Sequence, residues 1–131
     1  MWTLEDAKEY FAKDKYATVS TGIEILEVGE NYAKCCFKID ERQANAVGHV
    51  MGGAIFTLAD FVFAVTTNNK EKVTVTAMSS ISYFNSPKGT ILYGESRVKK
   101  EGKRTCFYEI DIYDDLGISV ATVSTNGVHI V

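Results

Sequence analysis

With two histidines and three cysteines in 131 residues, the chain is poor in side chains that bind transition metals or carry redox chemistry. Cys35 and Cys36 are adjacent on an apparent strand, so they face opposite sides and form neither a metal clamp nor a redox pair. Cys106 has only His49 and His129 to join it, which argues against a zinc site, and the cysteines read as small core residues. An excess of positive charge is also missing. The net charge of -3 and pI near 5.4 argue against a nucleic-acid binder that works by bulk electrostatics. The apolar run from Ala54 to Val65 is broken by Asp60 and is too short to span a bilayer. The opening MWTLEDAKEYFAKDK carries acidic residues where a signal peptide has a basic stretch and an apolar core, which predicts a cytoplasmic protein without membrane contact. There is no repeat, linker or low-complexity tract, and the length suits one domain over 1–131 with one core.

The stretch from Gly52 to Asn69, GGAIFTLADFVFAVTTNN, organises the rest. It reads as a helix that is apolar on nearly every face and is therefore expected inside the fold. Asp60 is its single formal charge, and an ionised carboxylate there is costly unless it is paired, hydrogen-bonded or used. Its helical neighbours Phe56, Thr57, Phe63 and Ala64 offer no salt-bridge partner. It can be a surface residue bonded to Thr57 or water, or a group kept for chemistry. At the other end, Gly52 and Gly53 let a ligand approach the first N–H groups, which carry the positive end of the dipole.

Before this helix the sequence predicts an amphipathic segment from Leu4 to about Lys13, a short helix at about 3–14, with Thr3 as N-cap and Leu4, Ala7, Tyr10 and Phe11 facing inward. Ile23 to Val28 and Tyr32 to Ile39 read as a hairpin, with Ala33, Cys35, Phe37 and Ile39 on its buried face. Asp40 to Met51 is expected as a loop. After the helix, Val73 to Tyr83, Thr90 to Lys99, Thr105 to Asp114 and Ile118 to Ile130 read as four strands joined by short turns. The result is an α+β domain, an antiparallel sheet of five to six strands curled around a long central helix.

The run from Asn45 to Asp60, NAVGHVMGGAIFTLAD, resembles the signature of hot-dog-fold acyl-CoA thioesterases, in the phenylacetic-acid-pathway, 4-hydroxybenzoyl-CoA thioesterase-like branch. Similarity extends to Ser80–Tyr83 before Pro87, to Gly102–Thr105 and to Ala121–Asn126, which resemble the family's later strands. The resemblance implies a hydrolase that splits an acyl- or aryl-CoA thioester without a cofactor, coenzyme A being part of the substrate. It assigns the carbonyl oxygen to the Gly53 N–H and the attack, direct or through water, to Asp60. Asn45 matches a loop asparagine that positions the thioester or water, and Thr76 a strand Ser or Thr that bonds the acid. In relatives the residue before the glycine pair is often His; here it is Met51, which cannot donate a hydrogen bond. Met51, Gly52, Phe56 and Tyr83 are expected around the substrate. Lys88 and Arg104, with Lys100 and Lys103, are candidates for the coenzyme's phosphates.

Geometry adds a constraint. Seven helical positions bring Gly53 and Asp60 back to one face but separate them by about 10 Å along the axis. Hydrogen-bond reach is only about 3 Å, so one protomer does not easily place both groups on one carbonyl. A second subunit that brings its own Asp60 to this Gly53 resolves the difficulty. The resemblance implies the same: a homodimer with two shared sites, often a dimer of dimers. A non-catalytic acyl-CoA binding module and a hot-dog dehydratase or hydratase are the alternatives. The first would lose the acid or gain a regulatory fusion, and the second needs a histidine that the long helix lacks.

Overall fold

Thr3 and Asp6 start the first helix by capping each other. The Asp6 N–H donates to Thr3 Oγ1 at 3.1 Å and the Thr3 N–H to Asp6 Oδ2 at 2.9 Å, a reciprocal box that satisfies two orphan donors. A computed structural model describes residues 1–131. The order is α1 (Leu4–Phe11), a π-helical turn (Tyr16–Ser20), β1 (Ile23–Gly29), β2 (Tyr32–Lys38), a 3₁₀ turn (Glu41–Gln43), α2 (Gly52–Thr67), β3 (Thr74–Tyr83), β4 (Ile91–Glu101), β5 (Thr105–Asp114) and β6 (Ser119–His129). The first helix is shorter than expected and stops at Phe11. Only Ala7 and Phe11 are buried, and Tyr10, expected inward, is 37% exposed. With its apolar stripe ended, the chain turns through Lys13–Lys15, and the Thr21 N–H reaches back to the Tyr16 carbonyl at 3.0 Å.

All six strands form one antiparallel sheet in the order β1-β2-β4-β5-β6-β3. Its inner face packs on α2, the long helix after the first hairpin. Ala33, Cys35 and Phe37 of β2, Leu92 of β4, Tyr108, Ile110 and Ile112 of β5 and Val123 of β6 meet Ile55, Leu58, Val62 and Phe63 in one core. The helix sits close because Gly94 has no side chain. A Cβ there would lie 2.9 Å from Val62 Cγ2 and 3.2 Å from Leu58 Cγ, inside normal contact distance. The outer face is polar, with Glu95 accepting from Tyr32 and Tyr113 at 2.6 and 2.7 Å.

β3 is an edge strand whose only neighbour is β6, with a bulge at Ala77. It is tied to α2 at both ends. Thr74 Oγ1 donates to the Thr67 carbonyl at 2.8 Å, and Tyr83 OH donates to the Gly52 carbonyl at 2.9 Å. β3 therefore runs antiparallel to α2, with its outer edge unpaired.

One expectation is corrected here. The long helix is not enclosed on every side: Gly53 and Asp60 are exposed, and Phe56, Thr57 and Ala64 are half-buried. These positions share one face. That face looks apolar in sequence because glycine, alanine, threonine and phenylalanine occupy it, not because the protomer buries it.

Candidate active site

The start of α2 lacks the usual cap. Met51 occupies the N-cap position in extended conformation and offers no side-chain hydrogen bond. Its carbonyl accepts from Ala54 and Ile55, and neither Gly52 nor Gly53 N–H has a partner in the protomer. Helix starts ordinarily satisfy such donors with Ser, Thr, Asp or Asn. Two free N–H groups at the positive end of a helix form a ready site for a developing oxyanion.

The backbone leading into this start is held by a residue that sequence reasoning passed over. The buried Gln43 side chain donates to the Thr21 carbonyl at 2.8 Å and accepts from the Asp40 N–H at 2.8 Å, while its own carbonyl accepts the Met51 N–H at 2.7 Å. The Asp40-Glu-Arg-Gln43 spacing is that of a capping box and could have signalled it. Next comes a closed loop in which Asn45 Oδ1 accepts the N–H groups of Val47 and His49, both at 3.0 Å. Backbone donors fix the amide's orientation, so Asn45 Nδ2 is the end left free to donate outward. His49 is an exposed loop residue.

Asp60 stands on the open face of α2 with no ion pair and no hydrogen bond to Thr57, whose hydroxyl instead donates to the Gly53 carbonyl at 2.8 Å. Desolvation by its surroundings, and then the Asp14 carboxylate, push Asp60 above the ordinary aspartate value. Its side of the helix borders a cleft of about 310 Å³ lined by Asp14, Lys15, Tyr16 and Ala17 on one side and Thr57, Phe61 and Ala64 on the other. Because β3 is anchored to Thr67 and Gly52, its middle at Met78 and Ser79 passes level with the middle of α2, and Thr76 lies two residues from the Thr67 end.

The remaining predicted residues divide by position. Tyr83 meets Gly52 directly, and a Cβ on Gly52 would lie 3.2 Å from the tyrosine oxygen. Phe56 is half-buried one turn further on. Lys88 is in a turn held by Asp114, whose Oδ2 accepts the Lys88 and Gly89 N–H groups at 2.7 and 2.9 Å. This turn and His49 border one cleft near the start of α2. Arg104 is not with them. It lies in the β4–β5 turn, beyond the far end of the eleven-residue β4, about 30 Å away along the strand. The two cations therefore cannot clamp one phosphate in a single protomer. Nor are the free N–H groups and Asp60 together within one chain, as their helical spacing requires.

A second polar cluster sits at the far end of α2. Glu101 accepts from Lys72 Nζ at 2.8 Å and from Tyr108 OH at 3.0 Å, and His129 Nε2 lies 2.7 Å from the same carboxylate without a hydrogen bond to it. Cys106, Glu101 and His129 present potential metal ligands within 4.8 Å of one another. Burial pushes the Glu101 carboxyl up, but the bonds from Lys72 and Tyr108 outweigh it and hold it below the usual glutamate value. The Lys72 ammonium already supplies the positive charge a metal would bring, so this donor set suits an ion-paired anchor for β6 better than a metal centre.

A family profile described as Thioesterase superfamily matches residues 47–121. The chain is 30% identical over 110 residues to a predicted esterase of Archaeoglobus fulgidus, covering 83% of this chain and 71% of that protein. It is 28% identical over 101 residues to the acyl-coenzyme A thioesterase PaaI of Escherichia coli, covering 76% and 72%. The solved E. coli PaaI protein of the phenylacetic acid degradation operon superimposes with a TM-score of 0.87 over 98% of this chain and 94% of that one, at 22% identity. A hypothetical thioesterase of Streptococcus pneumoniae, solved with coenzyme A, has a TM-score of 0.81 at 22% identity, covering 91% and 95%. Two further structures of that protein carry alanine in place of an aspartate and in place of a threonine sixteen residues beyond it. No helix of this chain is long and apolar enough to cross a membrane.

Proposed function

Because the chain belongs to the thioesterase superfamily, with the hot-dog fold of its solved relatives, we propose that it hydrolyses acyl-CoA thioesters at a site shared by two copies of itself. The observation that carries this reading is the uncapped start of α2, two free N–H groups on the helix that also bears the unpaired Asp60. In the reaction the Gly53 N–H receives the carbonyl oxygen as it gains charge. Asp60, made more basic by its surroundings, attacks the carbonyl carbon or draws a proton from the water that does. The leaving thiol ionises near pH 8.5, so no strong general acid is needed, and the site needs no cofactor beyond the coenzyme A of its substrate.

Free β3 edges complete the arrangement. Pairing two of them about a twofold axis sets two α2 helices antiparallel, with the open faces turned to each other. Asp60 of the partner subunit then stands opposite the first Gly53. Val75 and Met78, exposed on β3, and Phe84 just after it are the apolar groups such pairing would cover. Asn45 Nδ2 is free to donate to the thioester or the water, and Thr76 to the acid. The spacing between Asp60 and Thr76 equals that between the two residues replaced in the pneumococcal protein. The twofold axis also brings the Arg104 end of one protomer toward the Lys88 end of its partner, where the coenzyme's phosphates would pass.

The test is thiol release from a panel of acyl-CoAs, with sedimentation of the same sample. Turnover by a dimer, abolished in Asp60→Asn, supports the reading. An active monomer, or equal rates in wild type and variant, rejects it.

A further inference from the structure

The free edge of β1 borders a groove that thioester hydrolysis does not use. Ile23, Glu24, Ile25 and Leu26 of β1 line one side of it, and Lys8 and Phe11 of α1 with Lys15 just after it line the other, around about 460 Å³. We propose that this groove binds an extended, acidic peptide segment of another protein, which adds to the sheet as a seventh strand beside β1. The inference is independent of the chemistry assigned to Asp60.

The backbone points to a strand. Side chains of a strand alternate between its faces, so four consecutive residues border one cavity where it runs along the strand's edge. β1 ends the sheet with β2 as its one neighbour, and no hydrogen bond outside that ladder reaches the backbone of Ile23 to Leu26. Unpaired N–H and C=O groups therefore line the groove, the template on which an extended chain adds. The register slips at Leu26, where a bulge ends regular pairing. This leaves room for about four residues, or about 13 Å of extended chain.

Charge selects the sequence of that chain. Lys8 and Lys15 are exposed on the helix side of the groove. Lys15 has no ion pair, and Lys8 has only Glu5, itself 83% exposed, at 3.9 Å. Glu24 is the one acidic residue of the lining, and the alternation that sends Ile23 and Ile25 into the core turns it to the outer face, beside Cys36. On a chain of net charge -3 the groove is a local basic site. It attracts an acidic segment and disfavours a second copy of the chain, which would bring its own lysines to the same seam. Phe11, Ile23 and Ile25, all buried, give the floor an apolar surface for an aliphatic side chain of the partner. A free fatty acid would meet the floor and the lysines but leave the edge N–H groups unpaired, whereas an acidic peptide satisfies all three.

The probe is a blocked peptide that alternates valine with aspartate, added to the intact protein and followed by titration and by amide hydrogen exchange. In the free protein the outward amides among Ile23 to Leu26 should exchange fast, and with the peptide at about ten times its Kd they should slow about tenfold, as mass action requires. Lys8→Glu combined with Lys15→Glu should weaken binding at least about tenfold. A peptide with lysine in place of aspartate should not bind, and neither should one whose backbone amides are all N-methylated. Slow exchange of these amides in the free protein, equal binding of the N-methylated peptide, or affinity of the double variant within about twofold of wild type overturns the proposal. So does failure of the aspartate peptide to bind, or protection by decanoate in its place. Acyl-CoA turnover enters none of these readouts, so the hydrolase reading stands or falls separately.

Discussion

Replacing Met51 by serine should make the protein more stable and less active at once. Met51 occupies the N-cap position without capping, and the Ala54 N–H is already bonded to the Met51 carbonyl at 2.9 Å. A serine hydroxyl at this position therefore has the Gly53 N–H as its free acceptance partner. A gained N-cap contributes about 1 kcal/mol, and the exposed Met51 side chain, at 54%, gives up little packing. For a chain of this length the gain raises Tm by about 3 to 6 °C. The same bond takes away the proposed oxyanion donor, and loss of one such donor costs about 10²–10³ in kcat. Thermal melts and steady-state thiol release on the same preparation measure both. A higher Tm with turnover within about twofold of wild type would refute the role given to Gly53.

Four further outcomes follow from particular contacts. Partial desolvation by the neighbouring side chains, and then Asp14, raise the exposed Asp60 carboxyl, so activity that needs its ionised form should fail, as pH drops, at a higher pH than an ordinary aspartate would allow; Asp14→Asn should shift that acidic limb of kcat/KM downward. With its folded value raised, Asp60 contributes stability at low pH that is lost as pH rises through that value, so Asp60→Asn should raise Tm at pH 7 while removing turnover. Gly94→Ala should destabilise by about 1–3 kcal/mol in urea unfolding, because the new methyl meets Val62, Ile112 and Leu58. Asp114 is 1% exposed; burial pushes it up, and the backbone N–H groups of Ile118, Lys88, Gly89 and Leu116 more than reverse that. Its contribution is present above the unfolded aspartate value and lost as pH falls through the lowered folded one, and Asp114→Ala should cost at least about 2 kcal/mol at pH 7.

The strands and the long helix were legible because their periodicities are long and unbroken; Ala33, Cys35 and Phe37 fall inward as their alternation requires. The turn at Tyr16–Ser20 was not, since five residues of irregular helix leave no period to read. Its absence from the sequence reading also hid the wall that faces Asp60. The open side of α2 differs for another reason: a face that the proposed pairing would cover has the composition of a core. Lys88 and Arg104 were grouped because both lie in turns, and only the direction of β4 shows that these turns lie at opposite ends of the sheet. Gly52, Gly53 and Asp60 carried enough spacing information to predict that one chain cannot unite them.

The sheet order also governs when the molecule can finish forming. β3 is made directly after the long helix, yet its one bonding neighbour is β6, with Thr74 matched to His129 across most of the remaining sequence. A nascent chain leaving the ribosome must therefore carry an unmatched ribbon until nearly everything has been synthesised. Such distant pairing slows folding and invites premature sticking between neighbouring copies. Crowded translation on one messenger should thus be the condition under which this chain most needs a chaperone.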